Sequence, residues 1–283
     1  MMLPHSPTLK TQFAPCAAAV HGRARNSLIY LTPPSRNLRT RKPANSWTGG
    51  CDGEDMMRDA ALIRFFDILL SALAIVVLFP FMIPIMIALK LTGEHYIFYL
   101  QPRVGKGGKD FKVLKFATML KDSPNLPGGV LTQKNDPRIL PMGKFLRKTK
   151  INELPQLANI LIGQMSVVGP RPQARQHYEL YADDVKKEID KVPPGLSGIA
   201  SIVFRDEEAL LDQVQGERDH FHDTIIAPYK GQLEVWWVHH RTLANYFKII
   251  ILTMIVLFFP HSNFYQEWFK DLPPVPKELQ AAL

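Results

Sequence analysis

"RFFDILLSALAIVVLFPFMIPIMIALKL", residues 64–91, decides how the rest of the chain is read. From Ala72 to Leu89, eighteen consecutive residues carry no charge and no strongly polar side chain. That is about the length a helix needs to cross bilayer hydrocarbon. No polar stripe interrupts the run, which weighs against the core helix of a soluble domain. Pro80 and Pro84 lie inside it, and each removes a backbone donor and crowds the preceding turn. A helix broken at Pro80 and turned back brings both its ends out on one side, a re-entrant membrane anchor rather than a span. A straight kinked span and a soluble core helix are the alternatives. Arg64, Asp67 and Lys90 are placed for a water interface.

Upstream, residues 1–51 hold seven Lys or Arg and no Asp or Glu, with no apolar periodicity. Residues 1–55 therefore read as a disordered basic tail, a transit peptide, or an over-long start preceding Met56 and Met57. Both cysteines, Cys16 and Cys51, fall in this stretch. They form no CxxC pair, which argues against a zinc motif, and the remaining chain has no thiol for catalysis.

Downstream, "GEHYIFYLQPRVGKGGKDFKVLKFATM" (93–119) alternates apolar and polar residues around a Gly-Lys-Gly-Gly turn. The pattern predicts a β-hairpin of Tyr96–Tyr99 and Phe111–Phe116. A Pro/Gly loop at 123–129 follows. Later come a helix opening at Asn152, a solvated helix over 174–190, a Pro-Pro-Gly turn at 193–195 and a short apolar run, Ile199 to Phe204. "RDEEALLDQV" opens another helix, with Asp206 as its cap. "YFKIIILTMIVLFF" (246–259) is apolar but too short to span, and with Trp268 it suits the membrane interface.

The fold expected is α+β and mainly helical: a proline-broken re-entrant membrane helix plus a small cytosolic α/β catalytic domain with a β-hairpin. Its segments are a tail (1–55), an anchor (56–91), a catalytic domain (92–245) and a C-terminal apolar interfacial segment (246–283). The net charge of +8 points to an anionic partner. Nucleic acid is disfavoured, because no recognition motif is present and the apolar anchor has no role there.

The chemistry concentrates in "KTKINELPQLANILIGQMSVVGPRP" (148–172). Asn152 suits an N-cap and Pro155 the first turn. Leu154, Leu157, Ala158 and Leu161 then share one face. Glu153 at that helix start, flanked by Arg147, Lys148 and Lys150, suits a divalent cation with phosphate oxygens. Simple complementing of the helix dipole explains the acid equally well.

Taken in order, the broken anchor, "YLQPRVGKGGKDFKVLKFATM", "DPRILPMGKFLRKTKINELPQLANIL", "GQMSVVGPRP" and "PPGLSGIASI" resemble the bacterial sugar transferase family, the monotopic polyprenyl-phosphate phosphoglycosyl transferases. The resemblance implies transfer of a phospho-sugar from a UDP-sugar to undecaprenyl phosphate, with release of UMP and a requirement for Mg²⁺. The implied place is the cytoplasmic face of the inner membrane, at the initiating step of exopolysaccharide, O-antigen (lipopolysaccharide) or glycoconjugate assembly.

By the same resemblance Glu153 is the Mg²⁺ ligand, with Asn152 beside it at the reacting phosphate. Lys115, Arg138, Arg147 and Arg171 hold phosphate or nucleotide. Two departures stand out. The family's nucleophilic Asp is Asn152 here, and an amide oxygen is a far poorer nucleophile than a carboxylate. A family Arg is Ala117. Direct displacement, Glu153 as the nucleophile, and binding without turnover remain the three accounts of Asn152. A non-catalytic membrane scaffold for a polysaccharide assembly complex is the competing function. The histidines of "HFH" (220–222) and "HH" (239–240) are expected in solvent, the Gly-rich segment as a hairpin turn and "DDVKKEID" as a solvated face. The sequence does not identify the sugar or the oligomeric state.

Overall fold

The computed structural model describes residues 53–126, 136–207, 210–211, 218–259 and 262–280. The expectations for the basic tail, both cysteines, the loop beyond Leu126 and much of "RDEEALLDQV" lie outside these residues. Among the described residues the chain is mostly helical, with two small two-stranded sheets.

Helix α1 runs Gly53–Leu91 without interruption, with Pro80 and Pro84 inside it. The break expected at Pro80 does not interrupt the helix; each proline costs one intrahelical bond, which bends a helix more readily than it ends one. One stripe docks on the rest of the protein. Ile63, Asp67 and Ser71 lead it, followed by Ala74, Ile75 and Leu78, then Met82, Ile85, Met86 and Leu89. Their three- and four-residue steps define a single helix face. Phe65, Leu69, Leu73, Val76, Phe81 and Ile87 stay exposed, and only 6% of the most apolar window is buried. A soluble core helix would hide such residues, so that alternative fails.

Asp67 departs from the water-interface expectation. It is 1% exposed and accepts from Ser166 Oγ (3.0 Å), the Val167 N–H (2.8 Å) and Tyr246 Oη (2.9 Å). A carboxylate taken from water needs such donors, and here they come from two distant segments. Arg64 donates to the carbonyls of Ile160 (2.7 Å) and Leu161 (2.9 Å).

Strands β1 (Phe98–Val104) and β2 (Asp110–Phe116) form the hairpin, paired antiparallel from Phe98↔Phe116 to Val104↔Asp110. The first strand starts later and runs further than expected. Gly107 and Gly108 take the turn at φ 71° and 67°, which a side chain would resist. Helix α2 (Pro141–Lys148) leads to Lys150 at φ 59° and then to a 3₁₀ turn, Ile151–Glu153.

Helix α3 begins only at Gln156 and ends at Leu161. Asn152 is therefore not an N-cap. A cap side chain bonds the second or third N–H of its helix. Here the Leu154 N–H is given to the Ile151 carbonyl, and Pro155 has none. Asn159 joins α3 to the hairpin, accepting from the Leu114 N–H and donating to the Lys112 carbonyl, both at 2.9 Å.

Strand β3 (Ser166–Val168) pairs in parallel with β4 (Gly195–Ser197). A Cβ on Gly195 would lie 2.1 Å from the Gly169 nitrogen, so the two loops abut only because glycine stands there. Between the strands lie α4 (Arg175–Tyr178) and α5 (Asp183–Ile189), two short helices rather than one, with Tyr178, Tyr181 and Ile189 buried. The "DDVKKEID" face is solvated as expected, with Lys186 paired to Glu179 and Asp183.

The largest core packs α6 (Ile199–Val203), α8 (Ala227–His239) and α9 (Leu243–Phe258) around Leu233, Trp237, Tyr246, Ile249 and Leu252. Helix α7 (Arg218–Phe221) and a π turn, His222–Ile226, lead into α8. The segment 246–283 contributes Tyr265, Phe269 and Leu279 to this core, while Ile251, Met254, Leu257 and Phe258 face outward.

Candidate active site

Glu153 sits at the end of the 3₁₀ turn, where the left-handed Lys150 redirects the chain after α2. Arg171, held between Pro170 and Pro172 on the loop leaving β3, donates to Glu153 Oε1 at 3.0 Å. Lys115, on β2, places its Nζ 3.6 Å from the same oxygen. Both ion pairs run through Oε1, and among the described residues Oε2 makes none.

Burial alone would raise the Glu153 carboxyl. The charges of Arg171, Lys115 and Lys150, with the Arg171 hydrogen bond, override it and hold the pKa at about 2. Lys115 moves the other way. Burial lowers it to about 8, with Arg171, Arg103 and Arg147 adding repulsion that Glu153 only partly offsets. Arg103, on β1, is likewise lowered to about 10, by burial first and by Arg171 next.

Lys115, Arg171 and Arg103 open onto a cavity of about 240 Å³. His177, Glu207, His222 and Lys230 line it too, as do Gln156 and Gln173. The two sets of side chains differ in chemistry. One is cationic, with Glu153 behind it. The other is amphoteric, with Lys230 Nζ 2.6 Å from Glu207 Oε2 and His222 Nδ1 2.8 Å from Asp223 Oδ1.

His222 thus contradicts the expectation of solvent exposure. It is 4% exposed, and its ring lies 5.0 Å from that of His177. Of its acidic neighbours Asp223 is the next residue in the chain, whereas Glu207 comes from another segment and was invisible to local spacing. Of the second histidine pair, His239 approaches Glu188 (3.1 Å), while His240 stacks on Trp236 and reaches Asp271 (3.0 Å). Glu234, on α8, accepts from the Arg171 N–H at 3.0 Å and braces the loop from behind.

The structure brings Glu153, Lys115 and Arg171 together, with Asn152 adjacent in the chain. Asn152 is 7% exposed, and its Oδ1 has no hydrogen-bond partner. Arg147 lies on α2 near enough for its charge to act on Lys115, with one guanidinium nitrogen 3.9 Å from Met119 Sδ. Arg138 stands apart. It is 4% exposed and its fork is taken by Asp136, at 2.9 and 2.6 Å, while another nitrogen reaches the Ser123 carbonyl. A guanidinium engaged this way is a structural tie rather than a phosphate clamp. Ala117 is fully buried.

Sequence reasoning missed Arg103, His177, Glu207, His222 and Lys230, which converge from four segments with no local motif. Asp136, two residues before Arg138, was the available sign that this arginine is spoken for.

Among the described residues no three His, Cys, Asp or Glu side chains form a metal cage. Glu153 offers one fully ionised carboxylate with a free oxygen beside a cationic cavity. That donor set fits a magnesium ion arriving with a diphosphate, since Mg²⁺ is commonly held by one or two carboxylates plus substrate phosphates.

Residues 58–260 match the family model described as bacterial sugar transferase. Over 155 residues the chain is 39% identical to the UDP-glucose:undecaprenyl-phosphate glucose-1-phosphate transferase of Klebsiella pneumoniae, covering 54% of this chain and 33% of that protein. It is 34% identical over 210 residues to the undecaprenyl-phosphate galactose phosphotransferase of Salmonella typhimurium, covering 69% of this chain and 40% of that one. With the exopolysaccharide production protein PSS of Rhizobium leguminosarum bv. phaseoli it shares 41% identity over 149 residues, covering 51% and 74%. The matches thus span less than half of the first two relatives and about three quarters of the third. With the family model covering most of its length, this chain belongs to the bacterial sugar transferase family.

Proposed function

We propose that the chain moves a phospho-sugar from a UDP-sugar to undecaprenyl phosphate and releases UMP, opening the assembly of a surface polysaccharide or glycoconjugate. The observation that carries this is the Glu153 carboxylate, ionised in a nest of Arg171 and Lys115, which both line the cavity in front of it together with Arg103. Phosphoryl transfer asks a protein chiefly for positioning and charge stabilisation. Arg171, Lys115 and Arg103 hold diphosphate oxygens and keep them from repelling an incoming phosphate. Glu153 Oε2 would hold Mg²⁺, which when bound neutralises charge on the diphosphate.

In a direct displacement, a phosphate oxygen of the acceptor forms a bond to the sugar-bearing phosphorus. The bridging P–O bond breaks, and its electron pair leaves with UMP. Asn152 suits this route, because its buried amide supplies no nucleophile and adds no charge to repel the acceptor.

The membrane assignment rests on α1. Its exposed side is continuously apolar, and its docked stripe touches the same polar domain near both ends, at Ile63 and at Leu89. A straight span would drag that domain into hydrocarbon, where its loops could not be satisfied. A monotopic, re-entrant seat on the cytoplasmic face of the inner membrane avoids this. α9 and Trp268 would supply a second interfacial contact. Cysteine labelling at positions 60 and 92 in spheroplasts tests the topology, with equal accessibility expected and opposite accessibility overturning it.

Purified full-length protein with undecaprenyl phosphate, Mg²⁺ and a panel of UDP-sugars is expected to release UMP with at least one donor. Glu153→Gln should cut the release roughly a hundred- to a thousandfold, and Asn152→Asp shows whether a carboxylate there opens a covalent route. The scaffold reading draws on Asn152 and Ala117. No UMP from any donor, with donor binding intact, would favour it.

A further inference from the structure

The second set of side chains lining the cavity has no part in the phosphate chemistry above, and its composition is wrong for a second anion or for a metal. Glu207 would repel phosphate there, while Lys230, 2.6 Å from its Oε2, would repel a cation. What remains is a ligand that is neutral and both donates and accepts. Among the described residues Glu207 Oε1 is a buried acceptor with no hydrogen-bond partner, and His222 Nε2 stands 3.6 Å from it, beyond bonding distance. Lys230 has further donor capacity on its ammonium, and its side chain is fixed over the Phe204 ring at 5.4 Å. Lys230 and His222 are themselves 9% and 4% exposed, so the wall is built rather than a mobile surface. A carboxylate oxygen beside the Lys230 ammonium, with the His222 ring nitrogen next to it, offers both accepting and donating groups and suits adjacent hydroxyls, each donating to one neighbour and accepting from another.

We propose that Glu207, Lys230 and His222 form a vicinal-diol site that reads sugar hydroxyls next to the diphosphate. This rests on the donor reading given above, and a UDP-sugar offers such a diol on both sides of its diphosphate, in the ribose and in the transferred sugar. Glu207 is then the specificity residue of the cavity, whereas Arg171 and Lys115 carry the charge. The wall's nearness to Arg171, whose guanidinium feels the charges of both Glu153 and Glu207, places hydroxyls within one ligand's length of the phosphates.

The test is titration calorimetry on the full chain in detergent with Mg²⁺, comparing UDP-glucose, UDP and inorganic pyrophosphate in wild type, Glu207→Gln and Lys230→Met. Circular dichroism melting confirms that each variant is folded. Glu207→Gln is expected to weaken UDP-glucose roughly tenfold or more, the effect of a hydrogen bond to a charged group, and to leave pyrophosphate within about twofold. UDP weakened as much as UDP-glucose assigns the diol to the ribose. UDP left unchanged assigns it to the transferred sugar, and both results uphold the site. Unchanged UDP-glucose affinity in both variants, or an equal loss for pyrophosphate, overturns this inference alone. A wild type that binds pyrophosphate but none of a panel of UDP-sugars overturns it together with the donor reading beneath it.

Discussion

Two buried carboxylates touch Arg171 from opposite sides and end in opposite states. Burial raises both. Glu153 meets the side chains of Arg171 and Lys115, with Lys150 nearby, and falls to about 2. Glu234 receives only the Arg171 backbone N–H and weaker fields from Lys230 and Arg171, so burial prevails and its pKa rises to about 7. Its Oε2 has no hydrogen-bond partner among the described residues. Burial does not by itself decide how an acid behaves; the number of cations within reach does. One acid is thereby committed to charge at every physiological pH. The other works as a hydrogen-bonded brace that titrates.

The sharpest way to break this contrast is Glu153→Gln. Without the carboxylate, Arg171, Lys115 and Lys150 face one another uncompensated. UMP release should fall roughly a hundred- to a thousandfold. An activity within tenfold of wild type would mean that the cationic nest works without its anion.

Arg138→Met tests whether a buried ion pair outside the cavity belongs to the fold alone. It removes the two guanidinium bonds to Asp136, which is 3% exposed, and should cost about 3 kcal/mol of stability in a melting experiment. Pyrophosphate affinity should stay within about twofold, and a larger loss would return Arg138 to the site.

Stability against pH separates the two acids directly. Glu153 has a folded pKa below its unfolded value, so its contribution is present above about pH 4.5 and is lost as pH falls toward 2. Glu234 has a raised folded pKa, so the folded state holds a proton the unfolded chain releases. Stability declines as pH rises from about 4.5 to 7 and stays lower beyond. Glu234→Gln should therefore matter little at pH 5 and stabilise by on the order of 1–3 kcal/mol at pH 8. Equal effects at both values would assign Glu234 an ordinary pKa.

The smallest effect concerns Lys115. With a pKa of about 8, it loses its charge as pH rises through that value, and kcat/KM should decline there by a few fold. Lys115→Arg keeps its charge and should flatten the decline, while an unchanged profile would point to another group.

The apolar character of α1 was legible because composition alone reports it. Which face docks was not, since nearly every residue of that helix is apolar. The one polar mark, Asp67, looked like an interface residue until Ser166, Val167 and Tyr246 came to it from far along the chain. The hairpin was legible from alternation and glycines, with its strand bounds shifted. Asn152 was misread as a cap because the bonds that satisfy the turn, Leu154 to Ile151 and Glu153 to Lys150, are invisible in residue type. In the site, Glu153, Lys115 and Arg171 sit in contiguous motifs and could be found. His222, Glu207 and Lys230 acquire meaning only through the fold that gathers them.

Asp67 gives the lipid-facing helix a grip on Val167, and a few residues further along the same strand and loop Arg171 grips Glu153. On the proposed reading, the bilayer, or whatever replaces it, is thus mechanically in line with the residues that would hold phosphate. Preparations in micelles of unlike thickness amount to different samples of the cavity, and turnover compared across them reports on the surfactant as much as on the enzyme.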